Sequence, residues 1–234
     1  MTKKRKDAES HGNDLLESPE ALAAQLSRTE HFIEKNKTLV SVLGGVVAVI
    51  IIGFLFGRYY IENQNENAQR DMFQAVYYFE ADSLGLALNG DGNNYGFLEI
   101  MDSYGMTDAA NLASYYTGAT YLKLGDYDNA LKYLKEFSAD DYLIQSRAYA
   151  LTGDAYMELG KFSDAAGLYE RAANYQANDQ FSPVYLVKAA IANEKAGSKS
   201  DALANYETIV EKYSASTVYQ DAVKHVARLE GLQN

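Results

Sequence analysis

The sequence predicts an all-α protein, a single transmembrane helix followed by an α-α superhelix of stacked helical hairpins. Three observations carry that expectation. The run LVSVLGGVVAVIIIGFLFG, Leu39 to Gly57, contains no charged residue. The segment LGDYDNALKYL, Leu124 to Leu134, returns thirty-five residues later as LGKFSDAAGLY, Leu159 to Tyr169, and self-similarity at such a period marks a repeat architecture. No Gly or Pro occurs from Arg58 to Leu84, so the apolar helix runs on without a break signal.

Composition narrows the functional classes. The net charge of −11 argues against nucleic acid, whose phosphates want a basic stripe. The absence of Cys excludes a disulfide framework, thiolate metal sites, a Cys nucleophile and a lipid-modified Cys anchor. Twenty Tyr and no Trp suit helix packing and interaction surfaces, because Tyr offers a large flat ring with a hydroxyl at its end.

Residues 1–38 form a leader. Met1 to Glu17 is polar and aperiodic and reads as disordered. Ser18-Pro19 looks like a cap and first helical residue. Leu22, Leu26, Thr29 and Phe32/Ile33 then recur at helical spacing, an amphipathic helix that rests on a membrane surface or docks on a partner helix. Residues 39–57 are the span: nineteen residues reach roughly 28 Å as a helix, close to the thickness of the hydrocarbon layer. Lys3, Lys4, Arg5, Lys6, Lys35 and Lys37 precede it and only Arg58 follows closely, so the positive-inside rule puts 1–38 in the cytoplasm and 58–234 outside it. Tyr59 and Tyr60 are placed for an aromatic belt. Gly53 and Gly57 form a GxxxG that would let another helix approach. The outer part carries fourteen basic and twenty-five acidic residues, against seven of each in 1–38. Anionic lipid therefore repels it.

Residues 58–88 are a stalk and a first packed helix. Ile61 to Gln69 is nearly all polar and reads as solvated, and Met72, Val76, Phe79, Ser83 and Leu86 then make an apolar stripe. The loop Asn89 to Asn94, NGDGNN, ends this helix. It lacks the Gly and the twelfth-position Glu of an EF-hand. Residues 89–110 include FLEIMDSY, which matches YETIVEKY at 206–213 in spacing and reads as a degenerate first repeat. Residues 111–216 hold three copies of one unit. The first has Gly118, Tyr121, Gly125, Tyr127, Ala130 and Leu134; the second Gly153, Tyr156, Gly160, Phe162, Ala165 and Tyr169; the third Ala190, Asn193, Gly197, Lys199, Ala202 and Tyr206. Small residues at the first position let two helices touch, the next Gly stops a helix in the left-handed conformation, and the Ala leaves a gap for a neighbouring aromatic. Residues 217–234 are a capping helix, with Val218, Ala222, Val226 and Leu229 on one stripe and Lys224 and Arg228 facing out.

No constellation for catalysis stands out. His11, His31 and His225 are far apart, and no G-x-S-x-G, P-loop or dinucleotide fingerprint occurs. Asp140-Asp141 reads as a helix cap rather than a carboxylate pair. The expectation is a protein that is not an enzyme, without cofactor, metal or small-molecule substrate.

The repeated unit resembles the tetratricopeptide repeat over about residues 111–231, although Ser114, Tyr149 and Leu186 stand where that family places Trp. The resemblance implies a curved stack whose groove is lined by the first helix of each pair and binds protein partners. Carried over, that face holds Tyr115, Leu122 and Lys123, then Arg147, Asp154, Met157 and Glu158, then Val187, Ile191 and Glu194. Some family members use a basic clamp for acidic chaperone tails. Tyr115 and Ala119 replace two clamp residues here, and Asp154, Glu158 and Glu194 would repel such a tail.

The whole layout (short leader, one span, polar stalk, outer repeats) resembles the YfgM-like ancillary subunits of the bacterial Sec translocon. That resemblance implies a single-pass inner-membrane protein with periplasmic repeats. Its implied partners are the SecYEG channel and a membrane-anchored periplasmic chaperone related to prolyl isomerases. The other reading is a scaffold for a different envelope complex, in secretion, outer-membrane biogenesis or cell division.

Overall fold

The computed structural model describes residues 19–231, and every regular element in that range is a helix. The expected polar leader Met1 to Glu17, the Ser18 cap and the side chain of Leu22 lie outside the described residues. The chain divides into two compact units between Tyr60 and Ile61.

In the first unit, α1 spans Pro19–Lys35 and α2 begins at Lys37. Backbone bonds from Asn36 to Phe32 (3.1 Å) and from Val40 to Asn36 (2.9 Å) carry helical pairing through the junction. Leu26, Phe32 and Ile33 of α1 are exposed, an apolar side without a protein partner among the described residues. Helix α2, Lys37–Glu80, is the one helix in the described range long and apolar enough to cross a membrane, with a mean hydropathy of 2.8 over its best window, none of it buried. A methyl group added at Gly53 or Gly57 meets nothing within 4 Å, so both glycines stand open.

In the second unit, the remainder of α2 packs through Ala68, Met72 and Ala75. The polar stretch after Ile61 is not wholly solvated. Asn65 Oδ1 accepts from the Ala109 N–H at 2.9 Å, satisfying one of the donors that the first turn of a helix leaves over. The apolar stripe also ends earlier than its pattern suggests. α2 stops at Glu80, Asp82 adopts a left-handed φ of 57°, and a short α3, Leu84–Asn89, follows. Asp91 closes the next loop by accepting from the Tyr78 hydroxyl at 2.7 Å and from the backbone N–H groups of Asn93 (2.8 Å) and Asn94 (2.7 Å). These donors, Tyr78 first, hold its carboxyl well below the usual range. Helix α4, Phe97–Ser103, completes this layer. Its Phe97 stacks on Tyr116 at 5.2 Å, and Phe79 meets the same ring edge-on at 5.3 Å.

Three hairpins and a last helix follow: α5 (Asp108–Leu124) with α6 (Tyr127–Glu136), α7 (Tyr142–Glu158) with α8 (Phe162–Asn174), α9 (Ser182–Ala196) with α10 (Lys199–Lys212), then α11 (Tyr219–Gly231). Three of the starts are capped by side chains. Thr107 accepts from Ala110 N–H, Asp126 from Asn129 N–H, and Asp141 from Leu143 and Ile144 N–H. Gly125, Gly160 and Gly197 turn each hairpin with φ of 79°, 71° and 83°, the left-handed region where a side chain is strained. Within a hairpin the helices touch at the small positions. A methyl group on Gly118 would lie 2.5 Å from Leu134 Cγ and 2.9 Å from its backbone nitrogen. One on Gly153 would lie 2.7 Å from the Tyr169 ring. Ala190 shares a buried cluster with Tyr206, Ile209, Ala222 and Leu229, so α11 covers the last hairpin. Arg228 is exposed and also reaches back to Glu194 of α9 at 2.7 Å.

Gly118→Ala should lower unfolding stability by roughly 1–3 kcal/mol, the range for overpacking. Gly153→Ala should cost less, because the clashing atoms belong to a ring and not to backbone. Gly167→Ala, where a methyl group meets nothing within 4 Å, should be neutral or stabilising. Thermal unfolding followed by circular dichroism checks the order of the three.

Candidate functional site

The first helices α5, α7 and α9 carry the ten residues that the repeat pattern assigns to one face. Each helix is apolar on the sides that meet its own second helix and its neighbours, which leaves a narrow polar strip. Tyr115 does not reach that strip. It is 6% exposed, beside the Tyr116 ring at 5.5 Å and the Phe137 ring at 5.3 Å, with burial pushing its hydroxyl pKa up and Arg147 opposing. Leu122 packs beside Ala130, Leu131 and Ala155, Met157 against the cluster of Ala150 and Ala165, and Val187 against the cluster of Tyr206. These four are part of the core or its margin.

The charged members are mostly engaged. Lys123 Nζ lies 2.6 Å from Asp82 and 5.0 Å over the Phe79 ring, tying α5 to the turn after α2. Asp154 Oδ1 accepts from the Tyr169 hydroxyl at 2.6 Å and from Lys188 Nζ at 2.8 Å. Burial first, and this carboxylate second, push the Tyr169 pKa up. Glu194 accepts from the Tyr206 hydroxyl at 3.2 Å and from Arg228 at 2.7 Å, and His225 Nδ1 stands 4.0 Å away while its ring stacks on Tyr206. Glu158 accepts from the Tyr127 hydroxyl at 3.4 Å. Arg147 and Ile191 are exposed, and Arg147 holds no ion pair among the described residues.

One device therefore occurs twice on this face. An acid on a first helix takes a hydroxyl from the Tyr of its own second helix and a cation from the next first helix or the cap. Asp154 to Lys188 and Glu194 to Arg228 are each separated by 34 residues. The first hairpin has neither part, since Ala119 and Leu134 stand where Asp154 and Tyr169 do. Tyr169 and Arg228 were not assigned to this face by sequence. An acid followed one repeat later by a base was the signal available.

Two segments of the chain, residues 112–140 and residues 148–181, match family models for the tetratricopeptide repeat. The first runs from within α5 past the end of α6 and the second from within α7 past the end of α8, so one match falls on each of the first two hairpins. The third hairpin has the same left-handed Gly turn, and its Ala190 and Tyr206 lie in one buried cluster. No curated protein matches the chain.

Asp154 and Lys188 are about a third exposed, which keeps the ion pair in the weak range. A double-mutant cycle of Asp154→Ala and Lys188→Ala should give a coupling of about 0.5–1 kcal/mol. Asp154→Ala alone should cost more than Lys188→Ala alone, because it also leaves the Tyr169 hydroxyl without its acceptor. Urea unfolding of the four proteins measures both differences.

Proposed function

We propose that the chain is a membrane-anchored, non-enzymatic interaction scaffold of the bacterial envelope. In this reading it is an ancillary subunit of the Sec translocon that links the SecYEG channel to a membrane-anchored periplasmic chaperone of the prolyl-isomerase-related type. The observation that carries it is one chain holding both an apolar helix of spanning length and tetratricopeptide hairpins, a fold used for protein–protein contact. Charge supports the topology: the basic residues before the apolar run favour a cytoplasmic N-terminus, with residues 58–234 in the periplasm. The open glycines Gly53 and Gly57 offer a surface on which another membrane helix can seat closely. The exposed apolar side of α1 offers a second contact, to lipid or to a partner helix. The layout's similarity to YfgM-like subunits supplies the choice of channel and chaperone.

Affinity purification of a tagged full chain from detergent-solubilised membranes should recover the SecYEG subunits and a periplasmic chaperone. Gly53→Leu with Gly57→Leu should insert normally and recover less of the channel. Recovery of components for secretion, outer-membrane biogenesis or division, without the channel, would replace the translocon assignment with one of those assemblies.

A further inference from the structure

The crevices between successive second helices differ at one repeat position. Between α6 and α8, Tyr156 of α7 fills the space. Lys135 Nζ donates to its hydroxyl at 2.6 Å, and Lys135 and Lys161 lie over its ring at 4.9 and 5.8 Å. Between α8 and α10 the same position is Asn193 of α9, and Lys135 is replaced by Glu170 of α8. The shorter side chain, with walls of Ala166, Gly167 and Ala204, leaves a groove of about 560 Å³, within the size range of ligand sites.

The floor of this groove is built. Asn193 and Asn205 are 6% and 8% exposed, and their Nδ2 groups donate to the same oxygen, Glu170 Oε1, at 3.2 and 2.9 Å. That pairing uses one N–H of each amide and leaves the acceptors Glu170 Oε2 and the two amide oxygens beside the second N–H of each Asn. Glu170, Asn193 and Asn205 all line the groove. Asp201 adds a carboxylate to the lining and Lys212 its one cation. Two carboxylates against one cation, with three free acceptor oxygens, favour a ligand with several donors and a positive charge. Guanidinium meets that description, with five N–H groups in a plane.

We propose that the groove between α8 and α10 binds an arginine side chain presented by an exposed segment of a protein partner. This rests on the reading of the stack as a protein-binding scaffold and names a contact on it, away from the first-helix face. Gly167, open on its outer side, lets the backbone of that segment come close.

The full chain in lipid nanodiscs, titrated with the blocked peptide Gly-Gly-Arg-Gly-Gly, provides the test. The side-chain amide NMR signals of Asn193 and Asn205 should shift, and the same peptide with Gln in place of Arg should bind about tenfold more weakly. Glu170→Gln should weaken the arginine peptide by a similar factor with unfolding unchanged. Gly167→Leu, which obstructs the wall without touching the floor, should also block binding and keeps the test decisive if Glu170→Gln fails to fold. Equal binding of the two peptides, or no effect of either variant, overturns the proposal. Spermidine binding as tightly as the arginine peptide overturns the assignment to a polypeptide. Peptide binding alongside failed recovery of SecYEG would retire the translocon reading and leave the groove intact.

Discussion

Within the first two hairpins the helices meet with no room for a methyl group, at Gly118 against Leu134 and at Gly153 against Tyr169. That approach sets the spacing on which the rest of the stack depends. It buries Ala130 and Ala165 completely, and it brings the Tyr169 hydroxyl within 2.6 Å of Asp154 on the facing helix. Dispersion falls off steeply with distance, so a hairpin sprung open by one methylene loses contacts along its whole length. The left-handed glycines after α5, α7 and α9 serve the same end, returning the chain quickly enough for the second helix to lie in register.

Once the spacing is fixed, copies of the unit can differ where it does not depend on them. The position of Tyr121 and Tyr156 is the clearest case. Tyr121 stacks on Tyr133 at 5.6 Å, Tyr156 is flanked by lysines, and Asn193 opens the crevice onto a carboxylate. The facing position changes with it, from Lys135 to Glu170. The tyrosine–acid–cation clasps vary in the same way, absent in the first hairpin and present in the second and third. Stability and surface chemistry are thus separable in this fold, which suits a scaffold whose partners contact side chains that packing does not require.

The helical class, the period and the turn glycines were legible because each is a local pattern repeated along the chain. The apolar run was legible for the same reason. The candidate face was legible only in part. Tyr115 sits at a position the family pattern exposes, yet Phe137, beyond the end of α6, folds over it. Asp154, Glu194 and Arg228 look like solvated charges in a helical projection, because their partners lie one repeat away. The break at Asp82 carries neither Gly nor Pro, and the cap that Asn65 gives to α5 spans 44 residues. Neither leaves a trace in periodicity. The third copy has Ala190 and Asn193 where the others have Gly and Tyr, and its Asn193 is where the groove opens.

A reciprocal exchange shows whether one repeat position decides that a second-helix crevice is filled or open. Thermal unfolding of the full chain would be compared for Tyr156→Asn and Asn193→Tyr. The expected result is a loss of about 2–3 kcal/mol for the first, from the ring removed, and no loss for the second, whose ring enters an existing space beside Glu170. A destabilisation of Asn193→Tyr as large as that of Tyr156→Asn would show that the third crevice is already packed, and would contradict the account.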